Sequence, residues 1–334
     1  MLMLICFGLM VGGYSVKNKR KKMKLGIVIP CYNEEEVLSE TTKRLSKLFS
    51  SMMERGEISK NSFICYVDDG SKDKTWEQIK GYSKEFEFFK GIKLSRNFGH
   101  QNALIAGLMQ LKEEADALIS MDADLQDDIM LIKGFVTKYK EGYHVVYGVR
   151  EDRRKDTGFK RDTAELFYTL QNKMGIDSIH NHADYRLMSK KALNALAEFK
   201  EINLFLRGII PLIGFRSCSL YYTREERFAG ETKYPLKKML FFALDGIASF
   251  SVMPLRFIMV AGFLMFFFSL LMIFWIVIDK YILGGTVLGW ASMMSSIYLI
   301  GGIQIMSIGI IGEYVGRIFQ QVKERPRYII DKEI

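Results

Sequence analysis

The stretch Leu25-Gly-Ile-Val-Ile-Pro30 is a short, uncharged, apolar run that ends at a proline. A run of this kind predicts a strand that is buried on both faces of a parallel sheet. The polar residues Cys31-Tyr-Asn-Glu-Glu35 follow it, and residues 34–50 have helical spacing, with Asn33 as the candidate N-cap. A buried strand that leads directly into a helix predicts the first β-α unit of a sheet.

The same alternation of strand and helix continues along the chain. Further strands are predicted at residues 63–67, 91–94, 117–121 and 143–149, and helices at residues 73–88, 99–111 and 128–139. Repeated units of this size predict an α/β fold, a mostly parallel sheet with helices on both faces. Ligands of such sheets bind at the carboxyl ends of the strands, so the residues that follow each strand are the candidates for function.

Acidic clusters follow two of these strands. Asp68-Asp-Gly-Ser71 comes after the second strand, and Asp122-Ala-Asp-Leu-Gln126 comes after the fourth. Asp122 and Asp124 point to the same side, and Gln126 adds a third oxygen. Oxygen ligands with open positions suit Mg²⁺ or Mn²⁺ shared with substrate phosphates, although a solvated acidic turn is the alternative for an isolated Asp-x-Asp. Walker A and Gly-x-Gly-x-x-Gly phosphate loops are absent from the sequence.

Basic residues are concentrated in two segments. Six of them lie between residues 150 and 161, and a second group lies in Arg224-x-x-Arg227-x-x-Gly230-Glu-Thr-Lys233. Next to a candidate metal site, they favour recognition of phosphate. Nucleic acid is a weaker interpretation, because the basic residues are not part of a recognisable nucleic-acid module.

Two long charge-free runs, residues 257–278 and 281–312, predict a pair of transmembrane helices. Only Asp279-Lys280 separates them, so a hairpin is expected. Basic residues flank the pair on both outer sides, which places both flanks in the cytoplasm. Gly312-x-x-x-Gly316 would allow close helix approach and hints at self-association.

Composition excludes several classes of protein. The chain of 334 residues is 49% apolar and 25% charged, which is too polar for a multi-span transporter. Its four cysteines form no Cys-x-x-Cys pair, which disfavours a disulfide framework or a cysteine-bound zinc. Of the net charge of +9, six positive charges lie in residues 16–24. This N-terminal extension either lies on anionic lipid or precedes a true start at Met23.

Taken in order, the motifs Pro30-x-Tyr-Asn-Glu34, Asp68-Asp-Gly-Ser71, Asp122-x-Asp-x-Gln126, Asp184-x-Arg-Leu187 and Gly230-x-Thr-Lys-Tyr234 resemble the family 2 inverting glycosyltransferases. Within that family the chain is similar to the polyprenyl-phosphate glycosyltransferases. These include the bactoprenol glucosyltransferases and, more distantly, dolichyl-phosphate mannose synthase. The resemblance covers about residues 24–320. Processive synthases of the family carry Gln-x-x-Arg-Trp, and no Arg-Trp pair occurs here, which favours transfer of a single sugar.

The resemblance implies a GT-A fold, a nucleotide-sugar donor, a divalent metal and a lipid phosphate acceptor. It implies five parts: an extension (1–23), a cytoplasmic GT-A domain (24–230), interfacial helices (231–256), two transmembrane helices (257–312) and a cytoplasmic tail (313–334). Residues 203–210 and 241–247 are expected to lie at the membrane interface. A homo-oligomer, a tetramer by resemblance, is also implied.

The resemblance also assigns site residues. Contacts to the nucleotide sugar are implied for Pro30, Tyr32, Asn33, Glu34, Asp68, Asp69, Ser71, Asp122, Ala123 and Lys233. The metal ligands are Asp122, Asp124 and Gln126, and the catalytic carboxylates are Asp124 and Asp184. Acceptor-phosphate contacts are implied for Arg150, Lys160, Arg161, Arg186 and Arg227.

The function expected from these features is transfer of one sugar, with inversion, from a nucleotide-diphosphate sugar to polyprenyl (undecaprenyl) phosphate. UDP-glucose is the expected donor, and the lipid-linked product would serve glycosylation of the cell envelope. The enzyme is expected in the plasma membrane, with its catalytic domain and both termini in the cytoplasm. The alternative is a non-catalytic membrane scaffold or flippase partner with a transferase-like domain.

Overall fold

A computed structural model describes residues 22–150, 182–201, 206–223, 253–278, 282 and 289–334. Several predicted segments lie outside these residues. They include most of the N-terminal extension, almost all of the interfacial region, and the candidate phosphate contacts Lys160, Arg161, Arg227 and Lys233.

The first half of the described chain alternates strands and helices, as the sequence predicts. Its elements are β1 (Leu25–Cys31), α1 (Leu38–Glu54), β2 (Phe63–Asp68), α2 (Thr75–Glu85), β3 (Phe89–Leu94), α3 (His100–Leu111), β4 (Ala117–Ser120), α4 (Leu131–Lys140) and β5 (Val145–Arg150). The prediction of Asn33 as the N-cap of α1 is wrong. The helix begins at Leu38, and Asn33 has a left-handed backbone with φ 53°.

The second half contains fewer regular elements among the described residues. They are β6 (His182–Ser189), α5 (Lys190–Ala197), α6 (Leu206–Leu212), β7 (Ser217–Tyr222), α7 (Met253–Ile278), α8 (Trp290–Val322) and β8 (Ile330–Glu333). Ser189 caps α5, since its side chain accepts a hydrogen bond from the Ala192 backbone N–H.

The sheet is mixed, and six of its eight described strands run in the same direction, in agreement with the predicted mostly parallel sheet. Its order is β7-β5-β6-β4-β1-β2-β3-β8, and β6 runs antiparallel to both β4 and β5. β8 is also reversed, against β3. The sequence does not predict the reversal of β6 and β8, because a run of strand residues reads the same in either direction, whereas the connections between strands decide the direction in which each one runs.

The sheet has an apolar core on each face, so helices cover both faces as predicted. Along β1 the side chains alternate, with Ile27 and Ile29 in one core and Val28 in the other. Helices α1, α2 and α4 supply the first core, and α3, α5 and α6 supply the second. This packing fixes the carboxyl ends of β1, β2 and β4 along one edge of the fold.

The expectation that residues 203–210 lie at a membrane interface is not met by the part that the structure describes. Leu206, Ile209 and Ile210 are buried in the second core, on the same face of the sheet as α3. The apolar face of α6 packs on the sheet, because burial against the protein core removes the same apolar surface from water that a bilayer would.

Two long helices follow β7 in the described chain. α7 has 26 residues, and α8 has 33 and contacts α7. Within the described residues, one segment, Leu299–Val322, is long and apolar enough to cross a membrane. It overlaps the predicted second span, residues 281–312, and extends beyond it to Val322. α8 begins at Trp290, the predicted link Asp279-Lys280 lies outside the described residues, and the pair of spans stays a prediction.

The end of the chain returns to the sheet. β8 pairs with β3, and the backbones of Gly91 and Ile334 exchange two hydrogen bonds of 2.9 Å. Near the end of α8, Gln321 donates to the Lys200 carbonyl at 3.0 Å, and Arg327 donates to the Phe199 carbonyl at 2.7 Å. The residues predicted as a separate tail thus include a strand of the catalytic sheet.

Candidate active site

The loops that follow β1 and β2 are joined by hydrogen bonds. The Asn33 backbone N–H donates to Ser71 Oγ at 3.0 Å, and the Lys72 N–H donates to Asn33 Oδ1 at 2.9 Å. The Glu34 N–H donates to Thr75 Oγ1 at 2.9 Å. Hydrogen bonds thus join the predicted nucleotide contacts of two separate motifs, Asn33 and Glu34 in one and Ser71 in the other, into one unit.

The two carboxylates at the end of β2 are both buried and play different structural parts. Asp68 Oδ1 accepts from the Ser71 N–H at 3.1 Å, and its Oδ2 is buried with no hydrogen-bond partner among the described residues. Asp69 accepts from the backbone N–H groups of Phe98 at 2.7 Å and Gly99 at 2.9 Å. Burial raises the pKa of both carboxyls. Through its two hydrogen bonds to Phe98 and Gly99, Asp69 ties the loop after β3 to the end of β2.

Gly70 is required by this arrangement. Its φ is +67°, and a Cβ on it would lie 2.5 Å from the backbone carbon of Arg96. A side chain would force apart the loops after β2 and β3.

Three other predicted nucleotide contacts lie around this unit. Pro30 is inside β1, and Tyr32 follows the strand with 41% of its surface exposed. Ala123 is buried, and its carbonyl accepts a hydrogen bond from Thr41 Oγ1 at 2.8 Å. Of the three, Tyr32 is the side chain available to a ligand from solvent.

The acidic loop after β4 carries the predicted metal ligands. Asp124 Oδ1 accepts from the Gln126 N–H at 3.2 Å, and Leu125 between them has φ 56°. Asp122 is 32% exposed as a side chain, yet its Oδ1 is buried and accepts no hydrogen bond from the described residues. Burial, aided by the carboxylates of Asp127 and Asp184, raises the pKa of Asp122 to about 6. Within the described residues no three His, Cys, Asp or Glu side chains form a metal cluster.

His100 is a site residue that the sequence analysis missed. It is the first residue of α3, and its Nε2 lies 3.4 Å from Asp122 Oδ1 and 4.0 Å from Asp184 Oδ2. The imidazole thus stands between the acidic loop after β4 and the carboxylate on β6. The sequence signal for this residue is its position at the start of the helix after β3, since ligands of such sheets bind at the carboxyl ends of the strands.

Asp184 projects from β6 and is held by two guanidinium groups. Arg186 Nη2 donates to Asp184 Oδ1, and Arg207 Nη2 donates to Oδ2 at 3.2 Å. Although burial opposes ionisation, the two guanidinium groups hold the pKa of Asp184 well below its usual range. Arg207, in the first turn of α6, was not predicted as a site residue.

Arg186 was predicted to contact the acceptor phosphate, but it is fully buried. Its Nε and Nη1 have no hydrogen-bond partner among the described residues, and burial lowers its pKa. A guanidinium enclosed in this way is placed to hold Asp184 rather than to meet a lipid.

Arg150, another predicted phosphate contact, is at the end of β5. Its Nη2 donates to Asp127 Oδ1 and its Nε to the hydroxyl of Tyr222, both at 3.2 Å. The Tyr222 hydroxyl also donates to Asp127 Oδ1. Arg150 is therefore joined to the acidic loop, beside Gln126, by residues that the sequence analysis did not select.

Comparison with known proteins gives two family matches. Residues 26–197 match the model of glycosyl transferase family 2, and residues 253–318 match the model of the GtrB C-terminal hairpin. The first match covers the sheet domain from β1 to α5, and the second covers most of the two long helices.

Individual relatives agree with the family matches. The chain is 53% identical over 316 residues to the uncharacterized glycosyltransferase YkoT of Bacillus subtilis (strain 168), covering 95% of this chain and 94% of that one. It is 38% identical over 314 residues to the SfII prophage-derived bactoprenol glucosyl transferase of Shigella flexneri, covering 93% and 98%.

Among solved structures, the chain is similar to a glucosyl-3-phosphoglycerate synthase from Mycobacterium tuberculosis. The TM-score is 0.45 at 18% identity, over 68% of this chain and 79% of that one. That likeness is too loose to bear on the site. The matches in sequence, over nearly the whole chain, confirm the resemblance seen in the motifs: the chain belongs to glycosyl transferase family 2 and is a glycosyltransferase with a GtrB-type C-terminal hairpin region.

Proposed function

We propose that this protein transfers a single sugar from a nucleotide-diphosphate sugar to a polyprenyl phosphate at a membrane. The observation that carries the proposal is the meeting of two carboxylates across His100. Asp122 comes from the loop assigned to the donor, and Asp184 comes from β6. A donor and an acceptor bound at this point would have their reacting groups side by side, which is the main requirement for group transfer.

The residues of the acidic loop fit a divalent cation. Asp122 Oδ1 is buried without a hydrogen-bond donor among the described residues, and burial, with the neighbouring carboxylates second, raises the pKa of this carboxyl. Asp122, Asp124 and Gln126 would hold Mg²⁺ or Mn²⁺, with substrate phosphate completing the ligand set. Such a cation, when bound, offsets the negative charge that develops on the leaving diphosphate.

The acceptor supplies its own nucleophile. A phosphate monoester has a second pKa of about 6, so near neutral pH its oxygen is already ionised. That oxygen forms the new bond to the anomeric carbon, the bond from that carbon to the diphosphate oxygen breaks, and the nucleoside diphosphate leaves. Attack from the face opposite the leaving group inverts the anomeric centre. No proton has to be removed.

This chemistry assigns Asp184 to orientation rather than to general-base work. A carboxylate whose pKa is held well below the usual range by Arg186 and Arg207 is a weak base. Its position beside His100 suits it to order the reacting groups, and Arg207, which is 41% exposed as a side chain, can meet a substrate phosphate at the same point.

The lipid acceptor and glucose as the sugar are supported by the relatives. Proteins 37–38% identical over most of this chain are named bactoprenol glucosyl transferases. The Leu299–Val322 segment and the match to the hairpin family support a membrane location. Two spans and a cytoplasmic catalytic domain are part of the proposal, and they rest on the charge-free runs and basic flanks of the sequence. A homo-oligomer remains part of the proposal. No particular observation favours the non-catalytic scaffold.

The test is to incubate membranes that contain the protein with undecaprenyl phosphate and a panel of labelled nucleotide sugars. We expect a lipid-linked sugar from UDP-glucose, with a β-linkage from the α-linked donor by NMR. Membranes without the protein are the control. If no donor in the panel yields a lipid-linked sugar, the proposed function is wrong.

A further inference from the structure

Three side chains from three different elements meet beside the acidic loop. Asp127 follows Gln126, Arg150 ends β5 and Tyr222 ends β7. Arg150 and Tyr222 are direct partners in the parallel pairing of β5 with β7. The Tyr222 hydroxyl donates to Asp127 and accepts from Arg150 Nε, so a single hydroxyl links the acid to the base.

The cluster is built to hold a charge in one orientation. Asp127 and Tyr222 are buried, with 3% and 4% of their surfaces exposed, whereas the Arg150 side chain is 26% exposed. Two nitrogens of the planar guanidinium, Nε and Nη2, are used in the cluster. Contacts at two nitrogens fix the plane of the group, and no contact from the described residues uses Nη1.

Burying the charged Asp127 side chain is unfavourable in free energy, and a purely structural role does not explain why a carboxylate is found there. Its Oδ2 is buried with no hydrogen-bond partner among the described residues. Replacing a buried, incompletely bonded ion pair by apolar side chains is often neutral or stabilising. A charged cluster at the carboxyl edge of the sheet, next to Gln126, is better explained by what its exposed member does.

We propose that Tyr222 and Asp127 are positioning residues that hold the Arg150 guanidinium toward a substrate phosphate. The inference rests on the proposed function and adds to it the residues that orient this arginine. The phosphate belongs either to the lipid acceptor or to the nucleotide sugar, and the two KM values distinguish these sources.

The test is Tyr222→Phe, which removes the hydroxyl and keeps the ring that packs edge-on against Tyr185, 5.8 Å away. We expect the KM of one phosphate substrate to rise about 10-fold, the size of losing a hydrogen bond to a charged group, with kcat within about twofold of wild type. A rise for undecaprenyl phosphate identifies the acceptor, and a rise for the nucleotide sugar identifies the donor. Direct binding of the affected substrate should weaken by the same factor.

The matched control is Tyr221→Phe, the neighbouring residue on the same strand. Tyr221 is 62% exposed and points to the other side of β7, so its hydroxyl should not matter for either KM. The thermal unfolding midpoint of both variants, measured alongside, separates loss of positioning from loss of fold.

A double-mutant cycle with Arg150→Ala tests whether Tyr222 acts through the arginine. In the Arg150→Ala background, Tyr222→Phe should have no further effect on either KM. Unchanged KM values in Tyr222→Phe, or effects of the two substitutions that simply multiply, would overturn the inference. If wild type itself makes no lipid-linked sugar, the proposed function fails first, so the two failures are distinguishable.

Discussion

Asp184 accepts hydrogen bonds from Arg186, which is fully buried, and from Arg207, which is half exposed. A buried guanidinium needs this carboxylate as much as the carboxylate needs the guanidinium, because each would otherwise be an uncompensated charge in a medium of low polarity. The same side chain is thus part of the stability of β6 and part of the site.

Asp184→Asn should lower the free energy of unfolding by about 3–5 kcal/mol, because it leaves Arg186 buried without its counter-charge. The pKa of Asp184 is depressed in the folded state, so its stabilising contribution is fully present above the unfolded value of about 4. That contribution is lost as pH falls below this value, so the gap between wild type and variant should narrow there. Denaturant unfolding at several pH values measures it.

Leu187→Val provides a control for substitution on β6, since it removes one methylene from the same strand without touching a charge. It should lower stability by about 1 kcal/mol, with no dependence on pH. A pH-independent gap for Asp184→Asn would contradict the ion-pair account of this residue.

Asp124 belongs to the acidic loop between β4 and α4 and is not part of a strand. Asp124→Ala should abolish transfer, since it removes a carboxylate from the proposed cation site, and it should leave membrane insertion and folding intact. The measurement is formation of lipid-linked sugar by the purified variant, together with Mn²⁺ binding in the presence of UDP.

Asp128→Ala is the comparison for Asp124→Ala, because Asp128 is an acid on the same loop whose Oδ1 accepts the Met130 N–H at 2.8 Å. It should keep most of the activity. Transfer by Asp124→Ala at the wild-type rate would contradict the assignment of the cation site.

At the scale of elements, the edge strand β8 joins the long helices to the active site. It pairs with β3, and the loop after β3 supplies the Phe98 and Gly99 N–H groups to Asp69 and carries His100 at its end. The position of β3 in the sheet therefore affects the positions of Asp69 and His100, which lie on the side of the site assigned to the nucleotide sugar. Covering this edge also keeps β3 from pairing with another chain.

Deleting residues 330–334 should lower stability by about 2–4 kcal/mol, since it removes several backbone hydrogen bonds worth about 1 kcal/mol each. Binding of the nucleotide should weaken as well, because the loop after β3 loses its support. Thermal unfolding and nucleotide binding measure the two effects.

Lys332→Ala is the control for the deletion, since this residue is exposed and its backbone stays in the strand. It should behave as wild type in both measurements. A shortened chain with wild-type stability would mean that β8 does not hold β3 in place.

At the scale of the whole molecule, the chain combines a glycosyltransferase sheet with long apolar helices. The apolar segment Leu299–Val322 is the second part of α8. Near its end Glu313 and Arg317 form an ion pair of 3.0 Å. The contacts of Gln321 and Arg327 with residues 199–200 then bring the end of the helix onto the catalytic domain. This arrangement suits an enzyme whose acceptor is delivered by a membrane.

The basic flanks of the helices predict the orientation of the protein. Fusing green fluorescent protein after residue 334 should give fluorescence, and fusing alkaline phosphatase there should give an inactive phosphatase, because the proposed topology places residue 334 in the cytoplasm. A phosphatase inserted after Lys280 should be active. An active phosphatase at residue 334 would reverse the proposed topology.

Much of the architecture was predictable because its signals are local. Buried runs such as residues 25–30 predict strands, and the helices between them follow from spacing, so the alternation and the coverage of both faces are confirmed. Strand direction was not predictable for β6, and neither was the return of the chain to the sheet at β8, whose short run Ile330–Glu333 is mostly polar. An edge strand of this kind forms only because β3 offers it hydrogen-bond partners.

The sequence by itself determined the family and the acidic loop, because Asp122-x-Asp-x-Gln126 and the other motifs act through neighbours a few residues apart. Only the tertiary structure decided which distant residues complete the site. His100 meets Asp122 and Asp184, Arg207 meets Asp184, and Tyr222 meets Asp127 across 95 positions of sequence. The cause is physical: burial makes the carboxylates of Asp127 and Asp184 depend on a partner, and strand order, which no short stretch of sequence encodes, decides which residues are near enough to be that partner.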